Sequence, residues 1–280
     1  MPLVPLSEVL SAARARGGAA LGLVCLGWGD VQTFVRAGEA AGVPVILQAG
    51  PGARAAIPVE VWGAMFRAAG AGAGVPVVAH LDHGRTVEEC RAGLEAGFTS
   101  VMFDGSALPL AENIGRTAEV LEMARAAGAS VEAEVGVVGY DAGAASEGTD
   151  PDEAEAFWRA CPVDALAVSV GNVHLQRAPG MARIDWARLS RIRDRVGCPL
   201  VLHGGSGVAE ADRARAAREG VAKINLGTEL RQAYGAGLRH VLDEDADRFD
   251  RLAIDAAVTD RMVPRVADIL RRAWDGPGAS

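Results

Sequence analysis

The stretch Val75-Pro-Val-Val-Ala-His80-Leu-Asp82-His83-Gly84 joins an apolar run to reactive side chains at its end. The run lies between Pro76 and Gly84 and is too short for a helix, so it predicts a buried parallel strand. Asp82 is a titratable acid, and His83 has an imidazole that can bind a metal. Because α/β proteins place their chemistry at the carboxyl ends of parallel strands, this end predicts a functional site.

The composition suits one large domain and argues against a nucleic-acid partner. The 280 residues are enough for one α/β barrel, and the 50% hydrophobic content provides a large core. The net charge of −8 disfavours phosphate-rich partners, which need a basic face. The four separated cysteines predict structural thiols in a reducing compartment. Without a leader or a long apolar run, we expect a cytoplasmic protein that does not bind a membrane.

Strand-like and helix-like segments alternate along the chain. Eight apolar runs have the length of strands, at residues 19–26, 43–48, 75–84, 99–104, 130–135, 164–171, 198–203 and 221–226. We therefore predict a single (β/α)8 TIM-barrel domain over residues 1–280, with a C-terminal helical extension at about 229–276. Residues 136–150 are the longest segment without a predicted element, and a loop of this size is typical of a lid.

Three of the five histidines lie at or just past predicted strand ends. His83 follows the third strand, His174 the sixth and His203 the seventh. Barrel closure brings these ends together, and three neutral imidazoles with an open fourth position form a catalytic zinc site. The remaining two, His80 and His240, are predicted to be structural.

Carboxylates near the same strand ends extend this predicted site. Asp104 and Glu134 could bind a second cation or hold the imidazoles in place. Glu132 faces the same side of its strand as Glu134, and a purely structural, hydrogen-bonded role for it stays open. Asp82, beside His83, is placed to protonate or deprotonate a substrate oxygen.

Two adjacent loops predict a phosphate site. Gly204-Gly-Ser-Gly207 follows the seventh strand and Asn225-Leu-Gly-Thr228 the eighth, where barrels often bind phosphate through backbone N–H groups. Arg177 is the predicted cation, because a guanidinium binds phosphate through two hydrogen bonds. Lys223 is an alternative that lies lower in the barrel, and a solvated role for Arg177 stays open. Zinc and phosphate sites together favour enediolate chemistry on a phosphorylated sugar fragment.

The chain resembles the class II, zinc-dependent fructose-bisphosphate and tagatose-bisphosphate aldolase family over about residues 1–245. Five motifs carry the resemblance: Leu81-Asp-His-Gly84, Val131-Glu-Ala-Glu134, Gly171-Asn-Val-His174, Leu202-His-Gly-Gly-Ser-Gly207 and Lys223-Ile-Asn-Leu-Gly-Thr-Glu229. The compact Asn-x-Gly-Thr motif is closer to the tagatose-type branch.

The resemblance implies a role for each motif. The zinc ligands would be His83, His174 and His203. Asp104 and Glu134 would line a second cation site, and Asp82 would be the proton donor. Dihydroxyacetone phosphate would be held by Gly204, Gly205, Ser206, Asn225, Leu226, Gly227 and Thr228. The resemblance also implies a homodimer or homotetramer built partly on the C-terminal helices.

Three differences from the family concern the substrate and proton transfer. A Phe-Asn pair that usually ends the first strand is replaced by Leu23-Val-Cys-Leu26, and a glycine after the strand-six histidine is Leu175. The usual lid glutamate is replaced by Ala142. We predict that Asp141 or Glu147 supplies the missing carboxylate on a lid that closes through its glycines.

Two other functions fit the same residues. A metal-dependent sugar-phosphate isomerase or epimerase would also pass through an enediolate, and a non-catalytic zinc or sugar-phosphate binding protein could dispense with the lid base. Asp82 favours the aldolase, because binding alone needs no acid beside the metal, whereas the missing lid glutamate favours the others. The sequence thus predicts zinc-dependent aldol cleavage or condensation of a phosphorylated ketose, with an unassigned aldehyde partner.

Overall fold

Eight parallel strands close into a barrel in the computed structural model, which describes residues 3–141 and 145–276. The strands are β1 (Ala20–Val24), β2 (Val45–Ala49), β3 (Val77–Gly84), β4 (Ser100–Phe103), β5 (Ser130–Val135), β6 (Ala165–Val168), β7 (Leu200–Leu202) and β8 (Val221–Leu226). Each strand pairs with the next, and β8 closes the ring by pairing with β1, where Asn225 lies opposite Gly22. The predicted TIM barrel is confirmed.

Helices cover the outside of the barrel. They are α1 (Leu6–Ala15), α2 (Trp28–Ala41), α3 (Pro51–Ala56), α4 (Val59–Gly72), α5 (Val87–Glu95), α6 (Leu110–Ala126), α7 (Pro151–Ala160), α8 (Trp186–Arg193), α9 (Glu210–Arg218), α10 (Thr228–Glu244) and α11 (Arg251–Asp275). A single 3-10 turn, Gly205–Gly207, precedes α9. Within the described residues, no helix is both long and apolar enough to cross a bilayer.

Local sequence sets the ends of α5 and thereby the start of β4. The Thr86 hydroxyl accepts a hydrogen bond of 3.1 Å from the Glu89 N–H group, as its N-cap position predicts. Gly97 has a φ of 88°, a left-handed conformation that turns the chain from the helix into the next strand. This turn leads into β4, which delivers Asp104 to the carboxyl end of the barrel.

Apolar side chains form the core between strands and helices, whereas polar side chains fill much of the barrel interior. The buried polar residues of β3, β5 and β8 include, in each strand, a pair at a spacing of two near the carboxyl end, so both members of the pair face the same side. We call His80, Glu132 and Lys223 the lower polar layer, and Asp82, Glu134 and Asn225, nearer the carboxyl ends, the upper polar layer.

The last helix supports the first strand. α11 packs against α2 and α10, and Pro264 lies within it. The Ala19 N–H group donates a hydrogen bond of 2.8 Å to the Ala273 carbonyl. At Gly18 an added Cβ would lie 2.1 Å from the Trp274 carbonyl oxygen, so the two segments touch directly. The end of α11 thus continues the hydrogen bonding of β1.

Candidate active site

Three histidines from different strands meet at the carboxyl end of the barrel. His83 lies in β3, His174 follows β6, and His203 directly follows β7. The Nε2 atom of His83 is 3.0 Å from the Nδ1 atom of His203. Nitrogen atoms of all three rings lie within 4.8 Å of one another. The structure therefore brings together the histidines predicted to bind zinc.

The donor atoms of this cluster fit a zinc ion. The Nε2 atom of His174 is buried and has no hydrogen-bond partner within the described residues, so a metal would satisfy it. Burial, reinforced by the nearby His83, lowers the pKa of His174 to about 4. Burial also holds the pKa of His203 well below its usual range. Neutral imidazoles are the form that binds metal, and three of them form a known type of catalytic zinc site.

Asp104 fixes the orientation of the His83 ring. Its Oδ2 atom lies 2.8 Å from the Nδ1 atom of His83, which leaves Nε2 directed towards His203. Ser106 donates hydrogen bonds of 3.3 Å from its N–H group and 2.6 Å from its hydroxyl to the Oδ1 atom. Burial alone would raise the pKa of Asp104, but hydrogen bonds from His83 and Ser106 hold it well below its usual range. Asp104 thus has the geometry of a carboxylate that orients a metal ligand.

Glu134 lies where a second cation would fit. One oxygen accepts a hydrogen bond of 3.2 Å from the Val138 N–H group. The other lies 3.9 Å from Nδ1 of His83 and has no hydrogen-bond partner in the described part of the chain. Burial, followed by the nearby charge of Asp104, raises the pKa of Glu134 to about 8. A cation held among His83, Asp104 and Glu134 would have to displace the proton from Glu134.

Asp82 belongs to the upper polar layer and borders the cavity that His174 and His203 also line. Its side chain is buried, and its Oδ1 atom has no hydrogen-bond partner among the described residues. A carboxylate oxygen in this position is available to a bound substrate. The predicted acid and two of the three predicted metal ligands therefore border one cavity.

Arg54 holds the backbone of the Asp82-His83 pair. Its guanidinium donates hydrogen bonds of 2.6 Å to the carbonyls of Ala49 and Asp82, and one of 3.0 Å to the carbonyl of His83. His83 has a φ of 50°, which is uncommon for a residue other than glycine. The guanidinium thus stabilises the backbone conformation of a predicted metal ligand. No sequence pattern marks Arg54, because its contacts run between the ends of two strands.

The two glycine-containing loops border the same cavity. Its described lining residues from these loops are Gly204, Ser206, Asn225, Gly227 and Thr228. The Ser206 hydroxyl accepts hydrogen bonds of 3.3 Å and 3.2 Å from the N–H groups of Gly227 and Glu229, which joins the loop after β7 to the start of α10. These residues therefore lie together, as the phosphate-site prediction requires.

Two residues predicted to hold the substrate, Leu226 and Gly205, are not among the described residues that line the cavity. Leu226 is fully buried in β8. Gly205 is buried in the 3-10 turn, where an added Cβ would lie 2.4 Å from the Ile224 side chain. These two positions therefore support the loops from below.

Arg231 lines the cavity, whereas Arg177 does not. Arg177 is exposed, and its carbonyl accepts a hydrogen bond of 2.8 Å from the Gln232 side chain. Among the described lining residues Arg231 is the one Lys or Arg, and it donates a hydrogen bond of 3.1 Å to the Thr228 hydroxyl. Its position one helical turn after the predicted phosphate loop is the sequence signal that could have identified it.

The loop at 136–150 has a paired stem. Val137 and Glu147 exchange two backbone hydrogen bonds of 2.8 Å, so the stem is a short antiparallel ladder. The side chains of Asp141 and Glu147 are both exposed, and neither lines the cavity as described. Ala142, at the position of the family's lid glutamate, lies outside the described residues.

Tyr140 connects this loop to the histidine cluster. Its ring stacks on the ring of His174, with centroids 4.9 Å apart and planes inclined by 26°. The His174 N–H group donates to the Gly139 carbonyl at 2.8 Å, and the Asp141 N–H group donates to the His174 carbonyl at 3.0 Å. The contact forms between separate loops, and sequence spacing therefore gave no sign of it.

Leu175 adopts a conformation that suits glycine. Its φ is 63°, in the left-handed region where a side chain meets the backbone. Its side chain is 53% exposed at the edge of the cavity, so burial does little to offset this strain. The leucine therefore occupies a turn for which the family's glycine is the less strained residue.

Comparisons with known proteins agree with this site. The family model described as fructose-bisphosphate aldolase class-II matches residues 4–274. The chain is 41% identical over 200 residues to a fructose-bisphosphate aldolase of Geobacillus stearothermophilus, a match that covers 67% of this chain and 69% of that protein. It is 40% identical over 200 residues to a 6-phospho-5-dehydro-2-deoxy-D-gluconate aldolase of Halalkalibacterium halodurans, covering 70% and 69% respectively.

A solved structure extends the similarity over the whole chain. The YdjI aldolase from Escherichia coli K12 matches with a TM-score of 0.84 and 30% sequence identity, over 99% of this chain and 100% of that one. The barrel, the histidine cluster and these matches lead to one conclusion. The chain belongs to the class II fructose-bisphosphate aldolase family and is an aldolase, a carbon–carbon lyase that acts as an aldehyde-lyase.

Proposed function

We propose that this chain is a zinc-dependent aldolase that cleaves or forms a carbon–carbon bond of a phosphorylated ketose. Dihydroxyacetone phosphate would be the ketone half, and the aldehyde partner is unassigned. The observation that carries the proposal is the single cavity bordered by His174 and His203 of the histidine cluster, by Asp82 and by the two glycine-containing loops.

His83, His174 and His203 would hold one zinc ion per chain. When bound, zinc would supply a Lewis acid that stabilises negative charge on the ketone oxygen, as an enediolate requires. Asp104 keeps the His83 ring oriented, and Glu134 completes a set of donors for a second cation. The nitrogen donors favour zinc at the first position, and the carboxylates favour a harder cation at the second.

The loops after β7 and β8 would bind the phosphate. Backbone N–H groups at the start of α10 favour an anion, and the Ser206 hydroxyl keeps its own hydrogen available to donate. Arg231 would supply positive charge from within the cavity. Arg177, favoured by its position three residues after His174, remains the alternative cation.

Asp82 would transfer the proton that accompanies carbon–carbon bond cleavage. Its unpartnered oxygen lies at the cavity, where it could exchange a proton with the oxygen of the aldehyde half. We assign the second proton transfer, at the ketone half, to Asp141 or Glu147. Both lie on the loop that Tyr140 docks onto His174, so closure of that loop could bring them to the cavity.

We further propose a cytoplasmic homodimer or homotetramer. The cysteines, all unpaired, support a reducing compartment. Phe249, between α10 and α11, is 92% exposed and Leu252, in the first turn of α11, is 81% exposed, and a subunit interface would cover such side chains. Light scattering on wild type and on a Phe249→Ser, Leu252→Ser variant would test this interface, and an unchanged mass would contradict it.

A substrate screen with metal controls tests the proposed function. Zinc-loaded protein is assayed for release of triose phosphate from phosphorylated ketoses of five to seven carbons, before and after chelation. We expect release that chelation abolishes and that His174→Ala lacks. Interconversion of ketoses without triose release would indicate an isomerase or epimerase, and zinc or sugar-phosphate binding without turnover would indicate a binding protein.

A further inference from the structure

The lower polar layer belongs to a continuous hydrogen-bond network beneath the histidine cluster. The two carboxylate oxygens of Glu132 lie 2.9 Å from Nε2 of His203 and 2.7 Å from Nζ of Lys223. Lys223 in turn lies 3.3 Å from Nε2 of His80, whose Nδ1 is 2.8 Å from the Ser100 hydroxyl. Four strands therefore contribute one polar side chain each, and the fifth side chain, that of His203, comes from the residue directly after β7.

This hydrogen-bond network is buried from solvent. His80, Ser100, Glu132 and Lys223 are 0% exposed, and His203 is 1% exposed. Branched apolar side chains normally fill the interior of such a barrel. A buried Lys–Glu pair adds little net stability compared with apolar residues of similar volume, because the loss of hydration offsets the attraction. The contact with His203 is where this pair reaches the active site.

Glu132 determines which nitrogen of His203 is free. Paired with the Lys223 ammonium, the Glu132 carboxylate only accepts hydrogen bonds, so the hydrogen between Glu132 and His203 is on Nε2 of His203. The Asn225 side-chain amide lies 3.1 Å from the same Nε2 atom, and with its oxygen turned towards His203 it accepts from that hydrogen as well. A neutral imidazole carries one N–H group, so Nδ1 keeps its lone pair. Nδ1 is the atom that faces His83, at 3.0 Å from Nε2 of that ring. Asp104 acts in the same way on His83, where it occupies Nδ1 and leaves Nε2 free.

We propose that Glu132 and Lys223 are positioning residues for zinc. Glu132 holds His203 in the tautomer and orientation that present Nδ1 to the metal, and Lys223 anchors the second oxygen of Glu132. This role rests on the proposed zinc site and extends it to a layer of residues that never touch metal or substrate. Carboxylates that orient metal-binding histidines typically contribute about 10–100-fold to metal affinity.

Zinc affinity and cobalt spectroscopy test this role with a variant of Glu132 and a control variant of Ser100. In Glu132→Gln one N–H₂ group and one oxygen replace two acceptor oxygens, so the side chain cannot accept hydrogen bonds from both His203 and Lys223. We therefore expect zinc to bind about 10–100-fold more weakly. The visible spectrum of the Co²⁺-substituted variant should also change, because His203 is no longer held. Ser100→Ala removes only the hydrogen bond to His80, which is the contact in the network farthest from His203. This variant should leave the zinc affinity and the Co²⁺ spectrum unchanged.

A double variant separates positioning from folding. Lys223→Met alone leaves the charge of Glu132 buried without a partner, which endangers the fold. The variant with both Glu132→Gln and Lys223→Met removes both charges and should melt near the wild-type temperature, yet bind zinc as weakly as Glu132→Gln. Wild-type zinc affinity in this folded variant would overturn the proposal.

The unmodified protein gives an independent measurement. Nitrogen-15 NMR of the histidine rings reports which nitrogen of His203 carries the hydrogen, in metal-free and in zinc-loaded protein. We expect the Nε2–H tautomer in both, and the Nδ1–H tautomer in the metal-free protein would overturn the proposal. Absence of zinc binding by the wild type would refute the proposed function instead, and the tautomer would still test the role of Glu132.

Discussion

The Oδ2 atom of Asp104 lies 2.8 Å from Nδ1 of His83, so a carboxylate and the imidazole of a proposed zinc ligand form one largely buried pair. Burial alone would lower the pKa of His83. The charge of Asp82, the hydrogen bond to Asp104 and the charge of Glu134 outweigh burial and raise the pKa to about 9. In the metal-free protein His83 therefore carries two protons at neutral pH, and zinc competes with one of them.

Zinc affinity should rise with pH until about pH 9, by about tenfold per unit for each proton displaced. Stability of the metal-free protein should do the opposite. The folded-state pKa of about 9 lies above the ordinary value of 6.5, so the contribution of His83 is complete below pH 6.5 and lost as pH rises to about 9. Chelator competition and urea unfolding at several pH values measure both, and a flat zinc affinity would contradict the prediction.

Asp82→Asn should keep the fold and the zinc but lower carbon–carbon bond cleavage by at least about a hundredfold, the low end of general-acid effects. Exchange of the ketone-half hydrogen with deuterated solvent should persist, because that step uses a different group. Triose release, solvent exchange and zinc content are measured on the same preparation. Cleavage at the wild-type rate would remove Asp82 from the mechanism.

Leu175→Gly should stabilise the protein by about 1 kcal/mol, because glycine adopts a left-handed φ without strain. Leu175→Ala keeps a Cβ and hence the strain, so it is the matched control and should give no gain. Urea unfolding of zinc-loaded protein measures both variants. Equal stability of the glycine and alanine variants would show that strain at this turn is negligible.

Arg231→Met should raise the KM of a phosphorylated ketose about 10–100-fold, since hydrogen bonds to charged groups contribute about 1.5–3 kcal/mol. Arg177→Met should leave it nearly unchanged, because Arg177 lies outside the cavity lining as described. An unphosphorylated analogue controls for general damage. A larger effect of Arg177→Met than of Arg231→Met would indicate that Arg177, rather than Arg231, binds the phosphate.

Replacing both Asp141 and Glu147 by alanine should lower turnover and solvent exchange at the ketone half by about a hundredfold or more. The single variants identify which carboxylate acts. Tyr140→Leu should impair closure of the loop and raise KM, whereas Tyr140→Phe keeps the ring that stacks on His174 and serves as the control. Full turnover in the double variant would place the proton transfer elsewhere.

The barrel was predictable because its signals are local. Apolar runs of strand length alternate with amphipathic segments, and residues such as Thr86 and Gly97 mark helix ends. Closure then required that strand ends meet, which was enough to place His83, His174 and His203 together. The short helix α3 is harder to predict, because Gly50-Pro-Gly52 has the composition of a turn, although Pro51 at the first helical position favours a helix start.

The missed residues act through contacts that sequence spacing does not encode. Arg54 reaches the carbonyls of two strands, and Tyr140 meets His174 across two loops. Sequence pattern places Glu132 on the inner face of β5, but not the contacts that its two oxygens make with His203 and Lys223. Such contacts depend on how far a side chain extends inside the closed barrel, which is a property of the assembled fold.

The charges around the barrel mouth are divided between its two sides. The carboxylates of Asp82 and Asp104 come from the β3–β4 side, whereas Arg231 and the N–H groups of the glycine-containing loops come from the β7–β8 side. For the proposed phosphorylated substrate, this separation of charge would favour an approach with the phosphate towards β8. A sugar entering in the reverse sense would bring its phosphate towards the carboxylates of Asp82 and Asp104. The order of the strands around the ring would thus set the direction in which the proposed substrate enters.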